Sequence, residues 1–141
     1  SARDNCRRYE SEYGELAWKL ANLGIETLPY LKALLNHDKE SWKREAIIAI
    51  ARLKDPLAVQ ALIEALGHQD AQVRKHSTEG LGKLKDASAF DDLVKILDDE
   101  VAEVRVTVVE TLFTLSPEKT IEVLIERQVD TSPMVCNTIA E

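Results

Sequence analysis

An all-α fold, built as a stack of antiparallel helix pairs, is what this sequence predicts. Three observations carry the prediction. The chain matches itself after a shift of 31 residues: residues 51–63 read ARLKDPLAVQALI and residues 82–94 read GKLKDASAFDDLV. Each copy contains two apolar patterns of helical period, a shorter one and a longer one. Five glycines and four prolines in 141 residues are too few turn-formers for an all-β chain. At this period the chain holds about four and a half copies.

The elements follow in order. Residues 1–24 read as N-terminal capping helices, with Leu16, Leu20 and Leu23 standing above Ala46, Ile50 and Leu53 once a residue near Gly24 is skipped. Residues 25–54 form a helix pair in which Leu28, Leu31 and Leu35 match Val59, Leu62 and Leu66. In the pair 55–85, Val59, Leu62, Ile63 and Leu66 lie on one helix face. That helix starts at Asp55-Pro56, an N-cap followed by the proline that the first helical position tolerates. Its longer partner carries Val73, Ser77, Leu81 and Leu84, with Asp70 as N-cap. The pair 86–115 starts at Asp86 and repeats the columns as Phe90, Leu93, Val94, Val104, Leu112 and Leu115. Here Val101, Val104, Val106, Thr107, Val108 and Val109 favour a strand on propensity, but the register assigns them to the longer helix, and packing overrides propensity.

Residues 116–141 are the last repeat. Ser116-Pro117 is expected to act as Asp55-Pro56 does, Ser132-Pro133 opens a further helix, and Arg127 and Gln128 replace apolar residues as a polar outer cap. The copy stops midway at Glu141, so the chain is expected to be a fragment of a longer protein. Links of about 3–5 residues imply antiparallel neighbours. Ala46, Ala49, Ala51, Ser77, Gly80 and Gly82 thin one side of the longer helices so that the next can approach, although each glycine costs about 1 kcal/mol of helix propensity.

Charge and cysteines bound the function. Eighteen bases against 25 acids leave −7, which opposes general nucleic-acid binding. Residues 1–97 hold 15 of each sign, whereas residues 98–141 hold 10 acids and 3 bases, so the whole excess sits in the last third. No apolar run approaches the roughly 20 residues of a spanning helix. Cys6 and Cys136 stand far apart without metal-site spacing, so the expected setting is reducing and cytoplasmic.

Val73-Arg74, Ser77, Gly80-Leu81-Gly82, Leu84 and Asp86, followed by Ala89 and Leu93-Val94, resemble the phycobilisome-lyase HEAT-like repeat. Ala58-Val59, Leu62-Ile63 and Leu66 carry the same pattern in one copy and Val104-Arg105 in another, so the resemblance spans about residues 12–141. Trp42-Lys43 and Val135-Cys136 depart from its Val-Arg pair, which leaves Arg74 and Arg105 as the arginines able to brace a neighbouring loop. The resemblance implies a right-handed α-solenoid whose longer helices line a concave face. Carried over, the protein-binding columns are Trp18, Ile48, Glu79 and Glu110; Arg44, Lys75 and Val106; and Glu45, His76 and Thr107. Glu40, Ser41, Gln72 and Glu103 form their edge.

Trp18, Ile48 and Val106 are apolar at positions expected to face solvent, the anatomy of a protein-binding ridge. A competing reading packs Trp18 under the N-terminal helix with Tyr9 and Tyr13 and lets Ile48 widen the core. His37 and His68 stand 31 residues apart at equivalent loop positions, where polar caps are commoner than a metal pair. His76 and Glu79 share a helix face. The His-Glu dipeptides of HEAT-like di-iron hydroxylases are missing, because Asp38, Gln69 and Ser77 follow the histidines. No phosphate loop or nucleophile elbow appears.

The expected function is therefore a non-catalytic scaffold, without cofactor or metal, that binds another protein. The partner would carry an apolar anchor for Trp18 and Ile48 and a basic flank for the acids beyond Glu79. Neither nucleic acid nor membrane is expected, and the chain is expected to be a monomer or to self-associate weakly. The resemblance implies one alternative, a bilin lyase or phycobilisome-handling subunit.

Overall fold

A computed structural model describes Glu15 and residues 18–127. Ser132-Pro133, the end of the chain, Tyr9 and Tyr13 lie outside the described residues. Residues 18–22 are helical. Seven helices follow: α1 (Leu28–Leu34), α2 (Glu40–Leu53), α3 (Pro56–Ala65), α4 (Ala71–Leu84), α5 (Phe90–Lys95), α6 (Ala102–Leu115) and α7 (Pro117–Glu126). Single 3-10 turns at Ile25–Thr27 and Ala87–Ala89 lead into α1 and α5. The described residues contain no strand. Short and long helices alternate, and the β-branched run is helical as part of α6.

The chain divides into two compact units, Ser1–Leu62 and Ile63–Glu141, and the boundary falls inside α3. In the first unit α1 packs on α2, and Leu31, Ala46, Ile47, Ala49, Ile50, Ala58 and Leu62 are buried. In the second unit α4 packs on α6, with α5 and α7 also against α6. Val73, Leu81, Leu93, Val104, Val108, Val109 and Leu112 are each at most 1% exposed there. The period-31 columns are thus core columns: burying them supplies the hydrophobic gain that no helix pair secures alone. Gly82 has its expected use. A β-carbon built on it would stand 3.1 Å from Thr111 Cγ2, so α4 and α6 approach closely enough that even a methyl group would have to displace Thr111 slightly.

The repeated Leu-Lys-Asp tripeptide is a helix stop followed at once by a helix start. Lys54 and Lys85 adopt the left-handed conformation, with φ of 49° and 52°, as C-caps of α2 and α4. The following aspartates cap the next element: Asp55 Oδ1 accepts from the Leu57 amide at 2.8 Å and Asp86 Oδ1 from the Ser88 amide at 2.9 Å. The Ser88 bonds hold the Asp86 carboxyl below its ordinary pKa. Asp70 caps α4 through the Gln72 amide at 2.8 Å. A left-handed lysine is strained where glycine is not. Lys54→Gly and Lys85→Gly should therefore each stabilise the fold by about 0.5–1 kcal/mol in urea denaturation, net of glycine's extra unfolded-state entropy. A loss of stability in both would contradict this.

Two expectations about the joints need correction. Ser116 does not cap with its side chain as Asp55 does. It is extended (φ −159°, ψ 94°) and serves at once as C-cap of α6 and N-cap of α7. The reason is spacing: Pro117 falls where Asp55 and Asp86 stand in the earlier copies, so no residue remains for a separate stop and start. The Ser116 carbonyl accepts from the Thr120 hydroxyl at 2.7 Å instead. The links are also uneven: residues 54–55, residues 85–89 (with the 3-10 turn in them) and residue 116 join long helix to short, whereas residues 35–39, 66–70 and 96–101 join short helix to long.

The longer links share one device. His37 Nδ1 accepts from the Lys39 amide (3.1 Å), His68 Nδ1 from the Asp70 amide (3.0 Å), and Asp99 Oδ1 from the Val101 amide (2.9 Å). The two histidines stand at one repeat position and hold the amide of the N-cap residue of the next helix rather than capping it themselves, and Asp99 takes that position in the next copy. Arg74 braces these links as the Val-Arg pattern implies. Its guanidinium donates to both Asp99 carboxylate oxygens (2.8 and 3.1 Å) and to the carbonyls of His68 (2.9 Å) and Gln69 (3.0 Å). Arg105 donates to the Asp99 carbonyl at 2.6 Å. In the first unit Trp42 replaces the valine and stacks on the His37 ring, with centroids 3.8 Å apart.

Candidate protein-binding surface

The first unit brings three of the expected residues together. Trp18, Glu45 and Ile48 line one shallow hollow with Ala49 and Arg52. α2 positions all but Trp18. Its buried face carries Ala46, Ile47, Ala49 and Ile50, so the opposite face, Ser41, Arg44, Glu45, Ile48 and Arg52, turns outward at helical spacing. Trp18 is 48% exposed and Ile48 is half-buried, so apolar surface faces solvent here. Ala49 is small enough to leave a depression beside Ile48. The hollow measures about 40 Å³, far below the roughly 300–1,000 Å³ of small-molecule pockets, and suits a single side chain.

Its charges find no ion partner among the described residues. Arg44 and Arg52 are exposed, and neither they nor Glu45 form an ion pair with another described residue. Arg52 was missing from the expected columns. Its signal was present: it follows Ile48 by four residues and Arg44 by eight, on the same face of α2.

The second unit treats its expected residues differently. Lys75 and Glu103 form an ion pair from α4 to α6. The Lys75 hydrogen bond and charge, aided by Gln72 and His76, hold the Glu103 carboxyl below its ordinary pKa. His76 Nδ1 lies 3.3 Å from Glu79 Oε2, the i, i+3 pair expected on α4. Val106 is half-buried, and Glu110 is exposed. Thr107 corrects the third column. It is 6% exposed rather than solvent-facing. Its hydroxyl donates to the Glu103 carbonyl at 2.9 Å, so its burial strands no polar group.

The acids beyond Glu79 are therefore partly engaged: Glu79 by His76 and Glu103 by Lys75, which leaves Glu110 open. No group of three or more histidine, cysteine, aspartate or glutamate side chains among the described residues is arranged to hold a metal ion. No helix among the described residues is long and apolar enough to cross a membrane.

A family model described as HEAT repeats matches residues 13–72 and again 59–141. No curated protein matches the chain. Among solved structures, the complex of CpcE and CpcF of phycocyanin lyase from Nostoc sp. PCC7120 is similar at 22% identity and a TM-score of 0.64. That similarity covers 90% of this chain and 56% of the other, so this chain spans little more than half the length of its structural relative. An engineered protein (19% identity, TM-score 0.48) covers 90% of this chain and 70% of its own. A designed armadillo repeat protein in complex with the peptide (KR)4 (22% identity, TM-score 0.46) covers 89% and 70%. At these identities the likeness is one of fold.

Proposed function

The chain belongs to the HEAT-repeat family, and from that premise we propose that it is a non-catalytic interaction scaffold that binds a partner protein on the outward face of its longer helices. The hollow beside Trp18 carries the reading. An exposed indole and Ile48 offer apolar surface with charge of both signs, Glu45 and Arg52, around it. Buried aromatic anchors rimmed by polar groups are what protein interfaces are made of. The partner inserts an apolar side chain beside Trp18, between Glu45 and Arg52 at the rim. Glu110, exposed on α6, offers a carboxylate to a basic flank. The chain's net charge of −7 disfavours phosphate, so a nucleic acid is a poor fit. The two widely separated cysteines suit a reducing, cytoplasmic setting.

Trp18→Ala and Ile48→Glu should each weaken a purified partner's binding by at least about tenfold, or about 1.4 kcal/mol, by isothermal titration calorimetry. The helical circular dichroism signal should stay intact. Loss of fold in both variants would instead make these residues core.

A second reading makes the chain a bilin lyase or phycobilisome-handling subunit. The repeat resemblance and the fold likeness to the phycocyanin lyase complex favour it. Titration with a free bilin, followed by absorbance, tests it directly: an unchanged spectrum would remove it.

A further inference from the structure

The outward strip of α2 has a counterpart elsewhere in the same chain. On α7, Glu118, Ile121, Glu122 and Ile125 stand at i, i+3, i+4 and i+7 and so share one face. Ile121 is 50% and Ile125 78% exposed. The same repeat columns are covered in earlier copies: Val59, Ile63 and Val94 are half-buried and Phe90 is buried. Glu118, Glu122 and Glu126 are exposed and form no ion pair with another described residue. The base of α7, Lys119, stands 5.9 Å from the centre of the Phe90 ring, away from this face. α7 therefore presents isoleucines set among carboxylates.

The α2 strip presents the complement, Ile48 between Arg44 and Arg52 with Trp18 beside it. Arg44 and Arg52 are eight residues apart, as are Glu118 and Glu126, so each charged row spans about 12 Å along its helix. Glu45 is the acid on the α2 side. From this match of apolar centre, opposite charge and spacing, we infer that α7 of one molecule docks on the α2 strip of a second copy of this chain.

The contact is head to tail. It joins two different surfaces, so every docked pair leaves one strip and one α7 face open, and association continues rather than closing. Opposite charge orients the encounter and is screened by salt. The α2 strip is also the surface assigned above to a partner protein, so self-docking and partner binding compete. The inference does not depend on that partner, because self-association is read on the purified chain alone.

Sedimentation velocity of the full chain tests it. The mean mass should rise with concentration and fall as salt is added. Arg44→Glu/Arg52→Glu removes the strip and Ile125→Glu removes the α7 face, and each variant alone should be at least tenfold weaker in self-association. Mixed in equal amounts, the two should form a one-to-one dimer and nothing larger, since one intact strip and one intact α7 face remain between them. Glu118→Lys/Glu122→Lys is the second α7 variant should Ile125→Glu lose helical signal. Its mixture with Arg44→Glu/Arg52→Glu should associate beyond the one-to-one dimer, since the reversed charges restore a second contact beside the intact one. A wild-type chain that stays monomeric up to millimolar concentration overturns the inference. So does a wild type that associates while the mixed variants do not.

Discussion

Replacing Arg74 by methionine should destabilise the unit Ile63–Glu141 by about 3–5 kcal/mol, as measured by urea denaturation followed by circular dichroism. The side chains of Arg74 and Asp99 are only 9% and 7% exposed. The guanidinium bonds both carboxylate oxygens of Asp99 and two carbonyls of the link before α4. Removing it strands a buried carboxylate that also caps Val101, together with the two carbonyls. Most of the loss is the cost of what is left unpaired, so the effect should be strongly non-additive. Arg74→Met combined with Asp99→Asn should recover part of it, because no buried charge then remains without a partner. The Lys95–Asp92 pair on α5 is the control. Its lysine side chain is 74% exposed, and breaking it should cost under about 1 kcal/mol. A loss below about 1 kcal/mol for Arg74→Met would show that solvent reaches the site and that the brace contributes little.

The second large effect is expected at Gly82, where valine should cost about 1–3 kcal/mol by overpacking. A β-carbon there already meets Thr111 Cγ2 at 3.1 Å, and valine adds two further carbons. Alanine should be nearly neutral. It gains about 1 kcal/mol of helix propensity over glycine and loses a similar amount in displacing Thr111. Thr111→Ala should release that gain, so Gly82→Ala should stabilise the protein in the Thr111→Ala background but not in the wild type. Equal effects of Gly82→Ala in both backgrounds would mean that the α4–α6 spacing does not depend on this contact.

These residues differ in how plainly the sequence announced them. Gly82 and Arg74 were legible, since a small residue in a helical column and the repeated Val-Arg pair each have a physical reading. The Leu-Lys-Asp repeat was visible as a repeat, but its meaning was not. Nothing in the residue type marks Lys54 and Lys85 as left-handed, because lysine gains nothing from that conformation. They adopt it because Leu53 and Leu84 end one helix and Asp55 and Asp86 must start the next. Ser116 was misread because Ser-Pro looks like a complete cap, whereas the joint there is too short to need one.

The binding surface was less legible than the fold. Trp18, Glu45 and Ile48 were found by register and do line one hollow. Arg52 was overlooked, and Thr107 was placed outside although it is buried. His76 and Glu79 stand as the i, i+3 pair that their spacing offered, whereas the Lys75–Glu103 pair joins residues 28 apart on different helices and had no local signal.

The linear order of residues decided the helices, their alternation and their core columns, because helical period and apolar spacing are local properties that a chain carries in its order. What waited for the folded chain was the state of the positions between those columns. Whether Thr107 is covered, whether Glu79 and Glu103 are paired, and whether Ile125 is open depend on which neighbour arrives and how large it is. That is set by the packing of other helices rather than by any residue's own place in the repeat.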